Sequence, residues 1–498
     1  MKKSKKFKMP NSFTTLFIII ILVAVMTWII PAGQYEVADG NFIPGTYEQI
    51  EQTPQGIWDV LAAPVLGLLG TEATEGAIEV SLFIMVVGGF LAVVNKTGAV
   101  DAGIATLIRG GEENVDRLIW ILMFVFALGG STYGMAEETM AFYPLLIPLM
   151  VTVGMDSLVA VAVILVGSGV GVLSSTVNPF ATGVASQMAG ISMADGMLLR
   201  IIFFVVTYLI GAYYVFRYAK RVREDNSHSY IADKMEQQKE EFSIESETDE
   251  LTSKQKVTLV LFTLTFVIMI LGLVPWSDLL GRASFFENMH EMLLGIPFLG
   301  SLIGKSSIAL GQSYLVEITI LFFAMSILIA IVYGINETVF VESFLEGMKD
   351  LVTVAMITAV ARGIQVIMND GQITATVLYW GEVALSGVSE GVFTVLTYLF
   401  YIPMSFLIPS TSGLAAATMG IMGPLGQFAG VGEAIVVTAY QAASGIINLV
   451  TPTSGVVMGA LAIADIEWGT WLRFMGKLLG ILVVVTIALL LFGTYFNI

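Results

Sequence analysis

A ten-residue motif occurs twice in this chain, each time inside a long apolar stretch. Ser131-Thr132-Tyr133-Gly134-Met135-Ala136-Glu137-Glu138-Thr139-Met140 matches Ser410-Thr411-Ser412-Gly413-Leu414-Ala415-Ala416-Ala417-Thr418-Met419 at six of ten positions. A second paired break follows each copy, Val177-Asn178-Pro179 and Val450-Thr451-Pro452, with Thr or Ser and then Gly downstream. A helix in lipid satisfies its own backbone, so Gly, Pro and hydroxyl clusters at membrane depth are tolerated only where opened backbone lines a cavity or is buried in protein. Matched breaks in two halves of an apolar chain point to the binding site of a secondary transporter.

Composition supports a membrane class independently of the repeat. Hydrophobic residues make up 56% of the 498 and charged residues 13%, with a mean hydropathy of +0.84. A water-soluble fold of this length cannot bury that much apolar surface, whereas a polytopic membrane protein need not. The chain has no cysteine, which excludes disulfides and thiolate metal sites. Only two histidines occur, His228 and His290, which argues against a histidine metal site or a catalytic triad. The net charge of −17 carries no nucleic-acid signal, and no nucleic-acid partner is expected.

Hydropathy predicts an all-α polytopic fold. Lys2, Lys3, Lys5, Lys6 and Lys8 precede an apolar run from Phe13 to Ile30, long enough to span and read as a retained first helix. Further spans are expected at 77–95, 197–218, 257–275, 314–334, 351–368 and 470–493. The repeated motifs sit inside 117–153 and 390–429, each the length of a re-entrant hairpin, and the Asn-Pro and Thr-Pro breaks interrupt helices at 157–194 and 433–466. Residues 1–223 therefore form a first membrane repeat, 224–256 a solvated cytoplasmic linker with ten acids and four lysines, and 257–498 a second repeat. Helical runs at 99–111 and 339–350 read as interfacial.

Basic residues set the expected orientation. The N-terminal lysines place that end in the cytoplasm, and no Lys or Arg occurs between Lys8 and Lys96, so the acidic segment 31–76 is expected outside. This threading leaves 19 of 23 basic residues cytoplasmic, Arg200, Arg282 and Lys305 external, and Arg362 near the membrane. The span at 351–368 has no counterpart before the first hairpin, so the second hairpin enters from the opposite side. That is an inverted repeat, the architecture expected for alternating access.

Half-helices ending at membrane depth expose N–H groups at one end and carbonyls at the other. The substrate-site candidates are Ser131, Thr132, Gly134, Glu137, Glu138, Asn178 and Thr182 in the first half. Ser410, Thr411, Ser412, Gly413, Thr451, Thr453 and Ser454 are their counterparts in the second. Oxygen ligands at Ser175, Thr176, Asn178 and Thr451 could hold Na+; Na+ or H+ are the candidate coupling ions, and no cofactor is expected. No Lys or Arg occurs from Leu118 to Leu199 or from Gly363 to Leu472, the two windows that contain every hairpin and break. Glu137 and Glu138, replaced in the second copy by Ala416 and Ala417, either attract a cationic group or face water at the hairpin tip. Arg362 binds a substrate carboxylate, pairs with Asp370, or reaches for the interface; the structural roles are favoured.

Several stretches resemble a known family. Met9-Pro10-Asn11-Ser12 leading to Ile30-Pro31-Ala32-Gly33, Ala361-Arg362-Gly363-Ile364-Gln365-Val366-Ile367-Met368, the Ser-Thr-x-Gly hairpins, Val177-Asn178-Pro179-Phe180-Ala181-Thr182-Gly183 and Asn448-Leu449-Val450-Thr451-Pro452-Thr453-Ser454-Gly455 carry the likeness. They resemble the YfcC-type branch of the DcuC family of anaerobic dicarboxylate carriers, within the ion transporter superfamily, over nearly the whole chain. The resemblance implies an inner-membrane carrier with a scaffold and a mobile transport domain, an elevator motion, a homodimer, and a site built from the hairpin tips and broken-helix loops. Founding members are described as dicarboxylate carriers, and YfcC-type relatives are associated with arginine/ornithine exchange or basic amino acids. The superfamily's dicarboxylate carriers use Ser-Asn-Thr signatures where this chain has Ser-Thr-Tyr-Gly and Ser-Thr-Ser-Gly.

The cation-poor windows favour a basic or zwitterionic amino acid as substrate, with a Na+- or H+-coupled dicarboxylate carrier as the alternative. An intramembrane enzyme lacks its chemistry: His290-Glu291 has no partner histidine, and no His or Lys lies near the Ser motifs. A channel suits paired inverted hairpins less well than a carrier, and no P-loop motif supports direct ATP drive.

Overall fold

The computed structural model describes residues 12–38, 41–43, 45–74, 76–100, 102–103, 112–132, 134–242, 251–273, 276, 285–304, 306–385, 387–408 and 410–496. The N-terminal lysines with Met9-Pro10-Asn11, and Arg109, Tyr133, Arg282 and Lys305, lie outside these residues, as do 104–111 and 243–250. The chain is mainly helical. It opens with α1 (Ser12–Ile29), then four two-residue strands, β1 (Gly33–Gln34), β2 (Val37–Ala38), β3 (Asn41–Phe42) and β4 (Glu48–Gln49). β1 pairs with β4 and β2 with β3, both antiparallel. Next come α2 (Ile57–Leu69), α3 (Ile78–Asn95), α4 (Glu112–Thr132), a 3₁₀ turn (Glu137–Phe142) and α5 (Tyr143–Thr152). α6 (Ser157–Ser174) breaks into a π turn (Pro179–Gly183) and α7 (Val184–Met188), and α8 (Met197–Glu224) closes the first half. The middle of the chain holds α9 (Met235–Phe242), α10 (Ser253–Leu273), α11 (Phe285–Gly295), α12 (Leu299–Ile303), α13 (Leu315–Tyr333), α14 (Glu337–Asp350) and α15 (Val352–Asp370). Then follow α16 (Thr374–Leu385), α17 (Glu390–Leu407), α18 (Thr411–Phe428), α19 (Glu433–Asn448), α20 (Gly455–Ile463) and α21 (Trp468–Phe496). Nine helices among the described residues are long and apolar enough to cross a membrane. Six fall on or within expected spans or interrupted helices; Val115–Thr132 and Glu390–Leu407 lie in segments expected as hairpins, and Glu337–Asp370 includes 339–350, expected as interfacial.

Two compact units emerge, each drawing on both halves of the sequence. The larger comprises 1–78, 116–243 and 356–498 and contains all four broken segments. At its centre are α6 and α19, apolar on all sides and buried almost throughout, the pattern of a helix with no lipid-facing stripe. They cross closely because small residues stand at the crossing: a Cβ on Gly445 would lie 2.3 Å from Leu173 Cα. Gly171 brings α6 equally near α4, where a Cβ would meet the Ala127 carbonyl at 2.1 Å. α8 packs on α6, and α17 and α21 on α19.

The acidic linker contributes to this unit. Ser229 and Tyr218 donate hydroxyl hydrogen bonds to Asp156 at the start of α6, at 2.5 and 2.6 Å. Gln238 on α9 reaches Ser157 Oγ at 2.7 Å, and Lys234 pairs with Asp465 at 2.7 Å just after α20. Burial raises the Asp156 carboxyl above the ordinary carboxylate range, and the Ser229 and Tyr218 hydroxyls oppose that shift. Residues 226–242 are therefore a docked strap, where composition alone suggests only solvated chain. The short α2 and α16 and the strands of 33–49 were not expected as elements; Thr376 on α16 bonds the Pro31 carbonyl at 2.7 Å and holds this irregular cap.

The smaller unit comprises 79–115 and 244–355. α3 and α14 meet at Gly88 and Gly347, each with a Cβ position within 2.3 Å of the other's carbonyl oxygen. Phe83, Phe90, Phe266 and Phe322 interlock edge-to-face between α3, α10 and α13. α10 and α13 pack side by side, while Val260, Ile320 and Ile331 stay exposed, as lipid-facing residues should.

Gly445→Ala should cost about 1–3 kcal/mol through overpacking against Leu173, read as a lower Tm of the purified protein in detergent. Gly476→Ala, with no heavy atom within 4 Å of the new methyl, should leave Tm unchanged or raise it.

Candidate functional site

The first hairpin tip is fastened to the first broken helix. α4 ends at Ser131-Thr132, and the Ser131 hydroxyl sits 3.0 Å from Thr176 Oγ1 and accepts the Thr176 N–H at 3.1 Å. The Ser131 carbonyl accepts the Val177 N–H at 3.2 Å. Gly134 follows with φ +80, and a Cβ there would come within 2.7 Å of Asn178 Nδ2, so the motif needs glycine for both backbone and space. Thr132 instead returns its hydroxyl to the Leu128 carbonyl at 2.7 Å, an ordinary helix bond. Glu138 is buried and closes the tip on itself, accepting the Ala136 N–H at 3.0 Å. Glu137 is half-buried and has neither a hydrogen bond nor an ion pair among the described residues.

The break after α6 is equally specified. Ser175 adopts φ +29, a strained value for a residue with a side chain, and its hydroxyl donates to the Val172 carbonyl. Asn178 Oδ1 accepts the N–H groups of Phe180 and Ala181 at 2.9 and 3.2 Å, capping the helix that resumes there. Thr182 Oγ1 lies 2.7 Å from the Ser175 carbonyl and 2.6 Å from Gln441 Oε1, and Gln441 Nε2 donates to the Ser174 carbonyl at 2.8 Å. Gln441, on α19, thereby ties the second half to the first break.

Arg200 completes the first break, packed inside the protein rather than solvated. It is fully buried, donating from Nε to the Thr176 carbonyl at 3.3 Å, from Nη1 to Asp195 O at 2.9 Å and from Nη2 to Met193 O. The second half has Trp471 at the corresponding place. Arg200 is the fourth residue of α8 and Trp471 the fourth of α21. The Trp471 indole, also fully buried, donates to the Leu449 carbonyl at 2.9 Å, and Trp468 donates to Val450 O at 2.8 Å. Thr176 and Leu449 each stand two residues before the break residue, Asn178 or Thr451.

The second half closes less completely. Ser410 caps α18 by accepting the Gly413 N–H at 3.2 Å, with Thr411, Ser412 and Gly413 half-buried in the first turn. Tyr440 donates to the Thr411 carbonyl at 2.5 Å. Thr451 and Thr453 share a hydroxyl contact at 2.7 Å, and Thr453 donates to Phe406 O at 3.0 Å, linking this break to the end of α17. α20 starts after Ser454, whose side chain makes no capping bond to the first turn. α20 packs on the 3₁₀ turn of the first hairpin, and α18 packs on the π turn and α7. Each half's hairpin thus meets the resumed helix of the other half.

Ser131, Ser175, Thr176, Asn178 and Thr182 form one bonded cluster with Gly134 packed against Asn178, and Thr451 with Thr453 form another. No hydrogen bond joins Thr451 to Ser175, Thr176 or Asn178. Arg362 contacts Gln365 at 3.5 Å and makes no ion pair with Asp370. Among the described residues no group of three His, Cys, Asp or Glu side chains could hold a metal.

The family model for C4-dicarboxylate anaerobic carriers, DcuC, matches residues 9–495. The chain belongs to the DcuC family. This DcuC-family chain is 29% identical to an uncharacterized protein of Haemophilus influenzae, covering 97% of this chain and 96% of the relative. It is 27% identical to the putative basic amino acid antiporter YfcC of Escherichia coli, again over 97% and 96%. Among solved structures it matches the YdaH transporter of Alcanivorax borkumensis at TM-score 0.43 and 16% identity, over 98% of this chain and 99% of that one. MtrF of Neisseria gonorrhoeae matches at TM-score 0.41 and 17% identity, over 98% and 96%. Family membership makes it a membrane transporter of small molecules and not an enzyme.

Arg200→Met keeps the side-chain length and removes every donor. It should cost about 1–3 kcal/mol, the range for a buried polar network that loses its donor, since water can reach part of the carbonyl set. The readout is Tm in detergent, with the exposed Arg473→Met as a control that should barely move it.

Proposed function

We propose that this chain is a secondary carrier that exchanges basic amino acids such as arginine and ornithine across the cytoplasmic membrane. One observation carries the reading: α20, whose N-cap Ser454 makes no side-chain cap bond, packs on the 3₁₀ turn that bears Glu137, which has no partner among the described residues. A helix N-terminus favours a carboxylate, and a glutamate without a cationic partner favours a guanidinium or ammonium group. An amino acid with a cationic side chain satisfies both ends. The name of the YfcC relative agrees with this substrate class. In this reading Ser131, Thr132, Gly134, Glu137, Asn178, Ser410, Thr411, Ser412, Thr451, Thr453 and Ser454 surround the substrate. The two halves act as an inverted repeat in alternating access, the larger unit moves as an elevator, and the carrier is a homodimer with its N-terminus in the cytoplasm.

Exchange also fits the first break. A Na+ bound at Ser175, Thr176, Asn178 and Thr451 would share the Thr176 carbonyl with the buried Arg200 guanidinium, and like charges at that range repel strongly in a dry interior. We therefore assign the driving force to the counter-substrate rather than to Na+. The family description keeps C4-dicarboxylates as the second reading, with the N-termini of α18 and α20 as carboxylate sites.

Proteoliposomes loaded with unlabelled ornithine should take up labelled arginine, at a rate unchanged when choline replaces Na+. Glu137→Gln should lower kcat/KM for arginine by about tenfold or more, the loss expected for one charge-assisted contact. Succinate counterflow without arginine counterflow would establish the dicarboxylate reading instead.

A further inference from the structure

A groove of about 590 Å³ opens between the C-terminal part of α8 and the N-terminal part of α21, away from the hairpins and breaks. Its walls grade from apolar to basic along both helices. On α8 the residues at successive four-residue steps are Leu209, Tyr213, Arg217 and Arg221, which share one helix face. That stripe is about 18 Å long at 1.5 Å per residue. On α21, Ile481 and Lys477 repeat the same order, apolar and then basic. The aromatic back wall is fixed: Tyr214 donates to the Phe474 carbonyl at 2.6 Å, and Tyr218 and Tyr230 pack on the Phe474 ring at centroid distances of 4.9 and 6.0 Å.

Among the described residues no carboxylate lies within 4 Å of Arg217, Arg221 or Lys477, and Arg217 contacts the Tyr213 hydroxyl at 3.5 Å. Glu224 pairs with Lys220 at 4.0 Å, and Asp156 is sealed behind Tyr218 and Ser229. Among the described residues no acid lines the cavity. At the other end Leu209 and Ile481 are 51% and 37% exposed, on helices that qualify as spans.

We propose that this groove binds an anionic phospholipid. The phosphate sits among Arg217, Arg221 and Lys477, the tyrosines mark the glycerol level, and an acyl chain lies along Leu209, Ile210 and Ile481. Three unpaired cations at the end of a span call for an anion, and basic pockets between spanning helices recognise anionic headgroups. The apolar continuation of the same groove selects a lipid over a free phosphate, which would touch only the basic end. Ordering of α8 against α21 by this lipid would steady the two helices that carry Arg200 and Trp471.

The test is native mass spectrometry of the full-length protein released from nanodiscs of equal phosphatidylglycerol and phosphatidylcholine. The wild type should retain phosphatidylglycerol over phosphatidylcholine by about tenfold or more, as expected for three cations near one phosphate. The triple variant Arg217→Gln, Arg221→Gln, Lys477→Gln should lose that preference, while Arg217→Lys with Arg221→Lys should keep most of it. Lys96→Gln, Lys256→Gln and Lys349→Gln together remove as much exposed charge elsewhere and should change nothing. Tm in detergent reports whether each variant folds. Equal retention of both lipids by the wild type, or equal loss in the control triple, would overturn the proposal. Displacement of the lipid by free glycerol phosphate would overturn the choice of a lipid as ligand.

Discussion

Everything in the larger unit depends on closing the backbone that its two broken helices leave open. A peptide group without a partner in an apolar interior costs several kcal/mol, so each break must be met by a donor or acceptor from elsewhere. The first break takes a guanidinium from α8, the Ser131 hydroxyl from α4 and the Gln441 amide from α19. The second takes two indoles from α21, while Thr453 donates to the Phe406 carbonyl at the end of α17. These bonds fix where the hairpins sit, because each hairpin end is itself one of the partners. The glycines at the crossings of α4, α6 and α19 then let backbones approach closely enough for such short side chains to reach.

The two halves solve the same problem with different charge. Arg200 places a permanent cation at the carbonyl end of the first break, and Trp471 closes the second with a neutral donor. The first motif carries Glu137 and Glu138 where the second has Ala416 and Ala417. Positive and negative charge are thus both built into the first half, and the Arg200 charge is consumed by three carbonyls. Glu137 is the charge left over at the hairpin tip. An exchanger of cationic amino acids needs that kind of free acid, together with an uncapped helix start such as that of α20.

Much of this organisation is legible in the residues. The spans follow from apolar length, and the breaks at 175–178 and 449–454 from Pro, Gly and hydroxyl clusters that a lipid-facing helix could not carry. The pairing of Ser131 with Thr176 and of Gly134 with Asn178 joins residues that the duplicated motif singles out. Arg200 is not legible, because the rules that place loop cations outside the membrane read it as solvated, and nothing in its neighbours signals burial. Gln441, Trp468 and Trp471 are single residues in apolar helices, indistinguishable in sequence from packing or interfacial anchors. The strap of 226–242 is hidden for another reason: its composition is that of a solvated linker, and only a few side chains, Ser229, Lys234 and Gln238, make the contacts that dock it.

The chain has no native cysteine, so single cysteines can be placed without stripping others. The most direct measurement of whether both halves build one site is maleimide labelling of Thr132→Cys and Ser412→Cys in the reconstituted protein, with and without saturating arginine. Arginine should slow labelling at both positions, and succinate at neither. Protection at only one position, or protection by succinate and not by arginine, would contradict a shared site for a cationic amino acid.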